Sequence, residues 1–258
     1  MRVRVACVLA LAAVCSAMPL TASAGPLPVA RHVPSIRTVG PLFISALGLG
    51  PMLRLPHYCS ASVIHSAGHN LVITAAHCVY GTGLGIEFAP GYSDGATPYG
   101  VWSVRHAYVD PAWKNDLDPR FDVAVLEMAA RGGRNVEDVT GRAPRLGDAP
   151  PAGTRVTVDG YLAGSGGTPI TCRAPVRYSH RYPTFGCRGY ADGVSGGPWL
   201  TDGRVVGVTG GLHQGGCTPS ISYSSPFARH VAALVARARA GGAGDVVPLP
   251  GADGCGTG

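Results

Sequence analysis

Three observations predict an all-β chain, a barrel or a sandwich. Short apolar runs rich in β-branched residues recur at 61–64, 71–74, 101–104, 123–126, 155–158 and 205–208. Gly, Pro, Asn and Asp separate such runs roughly every 8–12 positions, the spacing of turns in sandwiches and barrels. The 38 Gly and 22 Pro among 258 residues supply those turns, and the one segment with a helical period lies close to the C-terminus.

Taken in chain order, the elements begin with a segment set apart from the fold. Arg2 and Arg4 precede an apolar run over 5–13, and Ala22-Ser23-Ala24 is a small-residue cleavage site. Residues 1–24 therefore read as a secretory signal peptide. Pro19 and Thr21 interrupt the run short of the roughly 20 apolar residues a membrane span needs. Residues 25–37 are rich in Pro and aperiodic, which predicts a pro-segment or flexible lead-in. The β-runs fill most of residues 38–240. Within that stretch Phe227, Val231, Leu234, Val235 and Ala238 fall on one helical face. They predict a helix over 226–240, with Ser225 as N-cap, Pro226 at its first position and Gly241 just past its end. Arg229, Arg237 and Arg239 form its solvated face. Residues 241–258 are a Gly-rich tail, expected to be mobile unless Cys255 ties it down.

Composition narrows the function classes. Only 14% of residues are charged, against about 25% in ordinary globular chains, which excludes a highly charged disordered chain. The net charge is +6 and Lys114 is the only lysine. Removing residues 1–24 takes away Arg2 and Arg4 and no acid, lowering the charge from +6 to +4. The remaining arginines are scattered, and no basic cluster interleaves with aromatics, so a nucleic-acid partner is not expected. No later segment is long and apolar enough for a membrane span. Eight cysteines are present, of which Cys7 and Cys15 lie in the signal segment. The even remainder, Cys59, Cys78, Cys172, Cys187, Cys217 and Cys255, favours disulfides in an exported chain, with 15 pairings open. None forms a C-x-x-C pair, and their wide spacing argues against a metal cage.

Three segments carry chemistry. In Gly193-Val194-Ser195-Gly196-Gly197-Pro198 a serine sits in a glycine turn, where an imidazole could reach its hydroxyl and a substrate backbone could approach closely. The N–H groups of Gly193 and Ser195 could converge on a developing oxyanion. Alone, this is equally an ordinary Ser-Gly turn. In Thr74-Ala75-Ala76-His77-Cys78 a histidine follows an apolar strand; alone, it is equally a core histidine bonded to a carbonyl. In Phe121-Asp122-Val123-Ala124-Val125-Leu126 an acid opens an apolar strand. Such a carboxylate is buried and needs a partner, and a histidine N–H suits it. Asp110, Asp116 and Asp118 read as solvated turn residues.

In these three motifs, T-A-A-H-C, D-V-A-V-L and G-V-S-G-G-P, and in their His, Asp, Ser order, the sequence resembles the chymotrypsin/trypsin-like serine endopeptidases, in particular secreted bacterial members. The resemblance implies two packed six-stranded antiparallel β-barrels with one C-terminal α-helix and an active site between the barrels. It implies His77 as general base, Asp122 as its orienting carboxylate, Ser195 as nucleophile and Gly193 with Ser195 as oxyanion hole. It further implies a Cys59–Cys78 disulfide. Cys172 and Cys187 would close a loop near the cleft, and Cys217 and Cys255 remain for each other.

Departures from the family pattern qualify this. Where animal members carry an aspartate that binds the new N-terminal amine after zymogen cleavage, this chain has Val194. Arg37-Thr38-Val39-Gly40 faintly resembles an activation site, but its amine would find no carboxylate. The oxyanion loop is therefore expected to form without such insertion. At the base of the primary specificity pocket stands Gly189, where tryptic members place an aspartate, with Thr209 and Gly211 as the expected pocket wall.

The leading expectation is a secreted, monomeric serine endopeptidase acting on polypeptides, without metal or organic cofactor. The alternative is a protease-shaped binding protein without catalysis.

Overall fold

A computed structural model of the chain describes residues 25–45, 56–164 and 166–256. The expected signal peptide, residues 1–24, lies outside the described residues. Strands in the first half are β1 (Arg31–His32), β2 (Val39–Ile44), β3 (Cys59–Val63), β4 (Leu71–Thr74), β5 (Ile86–Phe88), β6 (Trp102–Val109) and β7 (Ala124–Met128). The second half contributes β8 (Arg145–Leu146), β9 (Arg155–Gly160), β10 (Ile170–Ser179), β11 (Tyr182–Gly186), β12 (Pro198–Thr201), β13 (Arg204–Val208) and β14 (Ile221–Tyr223). Helices are α1 (Pro111–Asp116), α2 (Val136–Thr140) and α3 (Arg229–Ala240).

The first six-stranded barrel is closed in the order β2-β3-β4-β7-β6-β5. Its strands β3, β4 and β7 are buried on both faces, which is why β4 and the start of β7 read as continuous apolar runs rather than alternating ones, while β3 carries the buried Ser60 and Ser62. Val72 and Leu126 point into the barrel core with Ala61, Val63 and Trp102. Leu71, Ile73 and Val125, one residue out of phase, join a second core with Val205, Val208, Phe227, Val231 and Leu234. The apolar face of α3 thus glues the two halves together.

The second sheet runs β14-β11-β10-β9-β12-β13-β8, with β1 on β10. A bridge between Thr209 and Ser224 joins the ends of β13 and β14, so six of these strands close on themselves while β8 and β1 stand outside the ring. The predicted double barrel with a C-terminal helix is the observed architecture.

Two details differ from expectation, and the condition set for the tail is met. The lead-in is paired: Arg31 and His32 lie opposite Thr171 and Ile170, and Ala30 donates to Arg188 O. The long helix starts at Arg229 rather than Pro226, with Ala228 as N-cap. Ser225 is unavailable as a cap because its hydroxyl donates to Pro119 O and Asp122 O at 3.0 and 3.2 Å. The tail is tied down, by Val247 pairing with Gly81 and by the Cys217–Cys255 disulfide. The other two bridges are Cys59–Cys78 and Cys172–Cys187. Closing the 15-residue separation of the latter is worth about 3 kcal/mol by chain-entropy reckoning.

One charge lies inside the second sheet. Asp159 on β9 is buried, with Oδ1 lacking a hydrogen-bond partner. Desolvation pushes its carboxyl up from 3.8 to about 6, a bond with Thr171 pulling weakly the other way. The folded state therefore holds this proton more tightly than the unfolded chain. The contribution to stability falls as pH rises from about 4 to about 6, by roughly 2–3 kcal/mol for a two-unit shift. Asp159→Asn should consequently raise Tm relative to wild type more at pH 7.5 than at pH 4.5, as read by thermal unfolding at both values. A difference independent of pH would contradict this.

Candidate active site

The aspartate segment is built by two caps. Asp110 Oδ1 accepts from Ala112 N and starts α1, and Asp118 Oδ1 accepts from Arg120 N and starts a 3₁₀ turn over Pro119–Phe121. These two acids, expected as solvated turn residues, fix the entry to Asp122, whose own carbonyl is held by Ser225. Asp122 has no exposed surface. Its Oδ1 accepts from His77 N at 2.9 Å, and its Oδ2 accepts from His77 Nδ1 at 2.7 Å and from Gly211 N at 2.7 Å. Three donors satisfy a buried carboxylate that would otherwise be prohibitively costly. They also force the tautomer of His77: Nδ1 carries the proton, leaving Nε2 free to accept.

His77 sits in a 3₁₀ turn over Ala76–Cys78 at the end of β4. Ala75 and Ala76 are fully buried, so the residues before the histidine must be small, and the Cys59–Cys78 disulfide anchors the residue after it. His77 and Ser195 line one cavity of about 550 Å³ together with Tyr58, Tyr190, Gly193, Thr209 and the segment His213–Pro219.

The serine turn is wedged between the barrels. A Cβ on Gly193 would lie 2.1 Å from Ala163 N, one on Gly196 2.0 Å from Thr74 Oγ1 and one on Gly197 2.3 Å from Asp159 O. Gly196 N donates to Thr209 O, and Ser60 N donates to Ser195 O. Ser60 also donates through its hydroxyl to Gly193 O at 2.8 Å and accepts from Tyr161 N at 2.8 Å. Val194 is 5% exposed and packs with Cys172, Cys187, Tyr190 and Trp199. A hydrophobic contact and the buried Ser60 hydroxyl thus hold this turn, with no carboxylate at position 194 to do so. The N–H groups of Gly193 and Ser195 have no backbone acceptor among the described residues, so both are available to a ligand. Ser195 Oγ makes one long contact, donating to Gln214 O at 3.5 Å. Among the described residues it makes no hydrogen bond to His77.

A family model, Trypsin, matches residues 50–233. The chain belongs to the trypsin family. The family fold recurs in the protease Anisep from Arthrobacter nicotinovorans (TM-score 0.68, 23% identity, covering 83% of this chain and 100% of that one). It recurs in a thermostable serine protease, AL20, from an extremophilic microorganism (0.67, 24%, 80% and 98%). Human heparin binding protein shares it as well (0.63, 18%, 85% and 100%). No curated protein matches the chain.

Of the residues expected to form the specificity pocket of this family member, Thr209 lines the cavity and two do not. Gly189 N donates to Pro219 O and its α-carbon faces Ala30 of the lead-in, which leaves Tyr190 in the cavity instead. Gly211 N donates to Asp122 Oδ2. Sequence reasoning missed Ser60, Gln214, Asp253 and Cys255, the last two reaching the cavity from the tail. Ser60 alone had a local signal, a polar residue directly after a half-cystine in an apolar strand. A cluster of His65, His69 and Glu137 also places donor atoms within 4.8 Å of one another. Both imidazoles there are already bonded to carboxylates, at 2.8 and 2.6 Å, and the cluster does not line the cavity.

Gly196→Ala should be among the most disruptive single changes, because φ is +78° and the added carbon overlaps two barrel atoms. Strain plus overpacking predicts a loss of about 3 kcal/mol or more, a Tm drop of roughly 6–12 °C. Gly203→Ala, at φ +69° with nothing within 4 Å, should lose only about 1 kcal/mol. Equal losses in thermal unfolding would refute the steric account.

Proposed function

We propose that this chain is a secreted serine endopeptidase that hydrolyses peptide bonds through an acyl-enzyme intermediate. The observation that carries the reading is the tautomer-fixing bond from His77 Nδ1 to the fully buried Asp122, in a cavity shared with Ser195 and two free amides. His77 Nε2 takes the Ser195 proton as Oγ attacks the substrate carbonyl. The Gly193 and Ser195 N–H groups hold the oxyanion, and His77 then protonates the leaving amine. Water repeats the sequence on the acyl-enzyme. Each step uses only side chains and amides of this chain. For attack, Ser195 Oγ must leave the Gln214 carbonyl by a rotation about χ1, and catalytic hydrogen bonds commonly tighten only when substrate binds.

Secretion is supported by the signal-like residues 1–24 and by three disulfides, which persist in oxidising compartments. Among the described residues no helix is long and apolar enough to cross a membrane.

One observation favours the second reading, a binding protein without turnover: Ser195 Oγ points to Gln214 rather than to His77. A fluorophosphonate probe discriminates. Wild type should label stoichiometrically at Ser195, and Ser195→Ala should neither label nor cleave a casein substrate while keeping its Tm. An intact wild type that stays unlabelled would favour the binder. Ser60→Ala should lower kcat about tenfold with KM within a factor of about two, since the hydroxyl positions an oxyanion donor felt mainly in the transition state. A change confined to KM would dismiss that role.

A further inference from the structure

Beyond α3 the chain turns back over the molecule. Asp245 accepts from Val109 N and pairs with Arg237, and Val247 bonds Gly81 in both directions while buried in the first barrel core. The following residues then arrive at the catalytic cavity. Gln214 Nε2 donates to Gly251 O at 2.7 Å, His213 Nδ1 lies 3.2 Å from Asp253 O, and Cys255 is bonded to Cys217. Asp253 and Cys255 consequently line the same cavity as Ser195 and His77.

The segment they grip is under conformational strain. His213 and Gln214 have φ of +54° and +50°, a region that residues with a side chain occupy only when their surroundings impose it. Both side chains are held by tail carbonyls. Gln214 is also the residue whose carbonyl accepts from Ser195 Oγ, so the tail reaches the nucleophile through a single intervening residue.

Chemistry gives the direction in which a peptide must lie. His77 protonates the leaving amine, so the C-terminal half of the substrate occupies the end of the cavity walled by His77, Tyr58 and Cys59. The acyl half runs the other way, toward His213–Cys217 and the tail. We infer that residues 251–255 form a wall across the acyl side of the cleft and limit how many residues N-terminal to the scissile bond the enzyme can hold. This specificity role rests on the peptidase reading above. The wall is a surface attachment: Cys217 is exposed, whereas Cys59, Cys78, Cys172 and Cys187 are buried. Its removal therefore opens no core.

The test compares wild type with a chain ending at Pro250 and carrying Cys217→Ser, which keeps Val247 and Asp245 in place. A full-length Cys217→Ser, Cys255→Ser variant is the second comparison. Peptides with two or four residues N-terminal to one fixed cleavable bond are assayed. Wild type should show kcat/KM within about threefold between the two lengths. The shortened chain should prefer the longer peptide by tenfold or more, the effect of about 1.4 kcal/mol of newly available binding. The double variant should fall between them. A wild type that already gains tenfold from the longer peptide, or a shortened chain with an unchanged length profile, overturns the inference. The same peptides, ending in a carboxylate at the cleavage position, are titrated against Ser195→Ala versions of both chains by fluorescence anisotropy. If neither chain turns over or labels with fluorophosphonate, the peptidase reading fails. Tighter binding of the longer peptide by the shortened chain would still uphold the wall, and equal binding would remove it.

Discussion

A single buried carboxylate organises the candidate site. Asp122 receives two N–H groups from the His77 turn at the end of β4 and one from Gly211 beyond β13. The first two donors belong to the first barrel and the third to the second. Because a buried charge is tolerable only with its partners in place, the two halves cannot shift relative to each other without exposing or orphaning it. The apolar face of α3 and the shared core beneath it supply the bulk attraction between the barrels, and Asp122 supplies the register.

The serine turn depends on the same closeness. Gly193, Gly196 and Gly197 each face a backbone or hydroxyl atom of a neighbouring segment at a distance that admits no Cβ. Ser60 reaches across to bond the carbonyls of Gly193 and Ser195. The turn is thus held by steric exclusion, by one buried hydroxyl and by the packing of Val194. An amine-to-carboxylate ion pair at position 194 is ruled out by the valine itself, so the free N–H groups of Gly193 and Ser195 are presented by a turn whose geometry is preset.

How much of this was readable beforehand varied with the range of the interaction. The apolar runs 71–74 and 123–126 located strands, and the structure buries them on both faces, with alternate residues in two different cores. The period of Phe227, Val231, Leu234, Val235 and Ala238 located α3, but its start was misplaced because Ser225 has a stronger competing use across space. Asp110 and Asp118 looked like surface residues and are caps. The N–H groups of Gly189 and Gly211, two residues expected at the pocket, are bonded to Pro219 O and to Asp122 Oδ2, partners distant in sequence.

The residue types of the chemistry, a histidine, a buried acid and a serine among glycines, were present in local sequence because each demands particular neighbours: small residues before His77, apolar ones around Asp122, glycines beside Ser195. Those demands are steric and electrostatic and act over a few positions. Which walls enclose the cavity was decided by contacts between segments far apart in the chain. The tail reaches the site through Val247 on Gly81, Cys255 on Cys217 and Gly251 on Gln214. No local pattern encodes such pairings, because they arise only after both barrels have closed and brought these surfaces together.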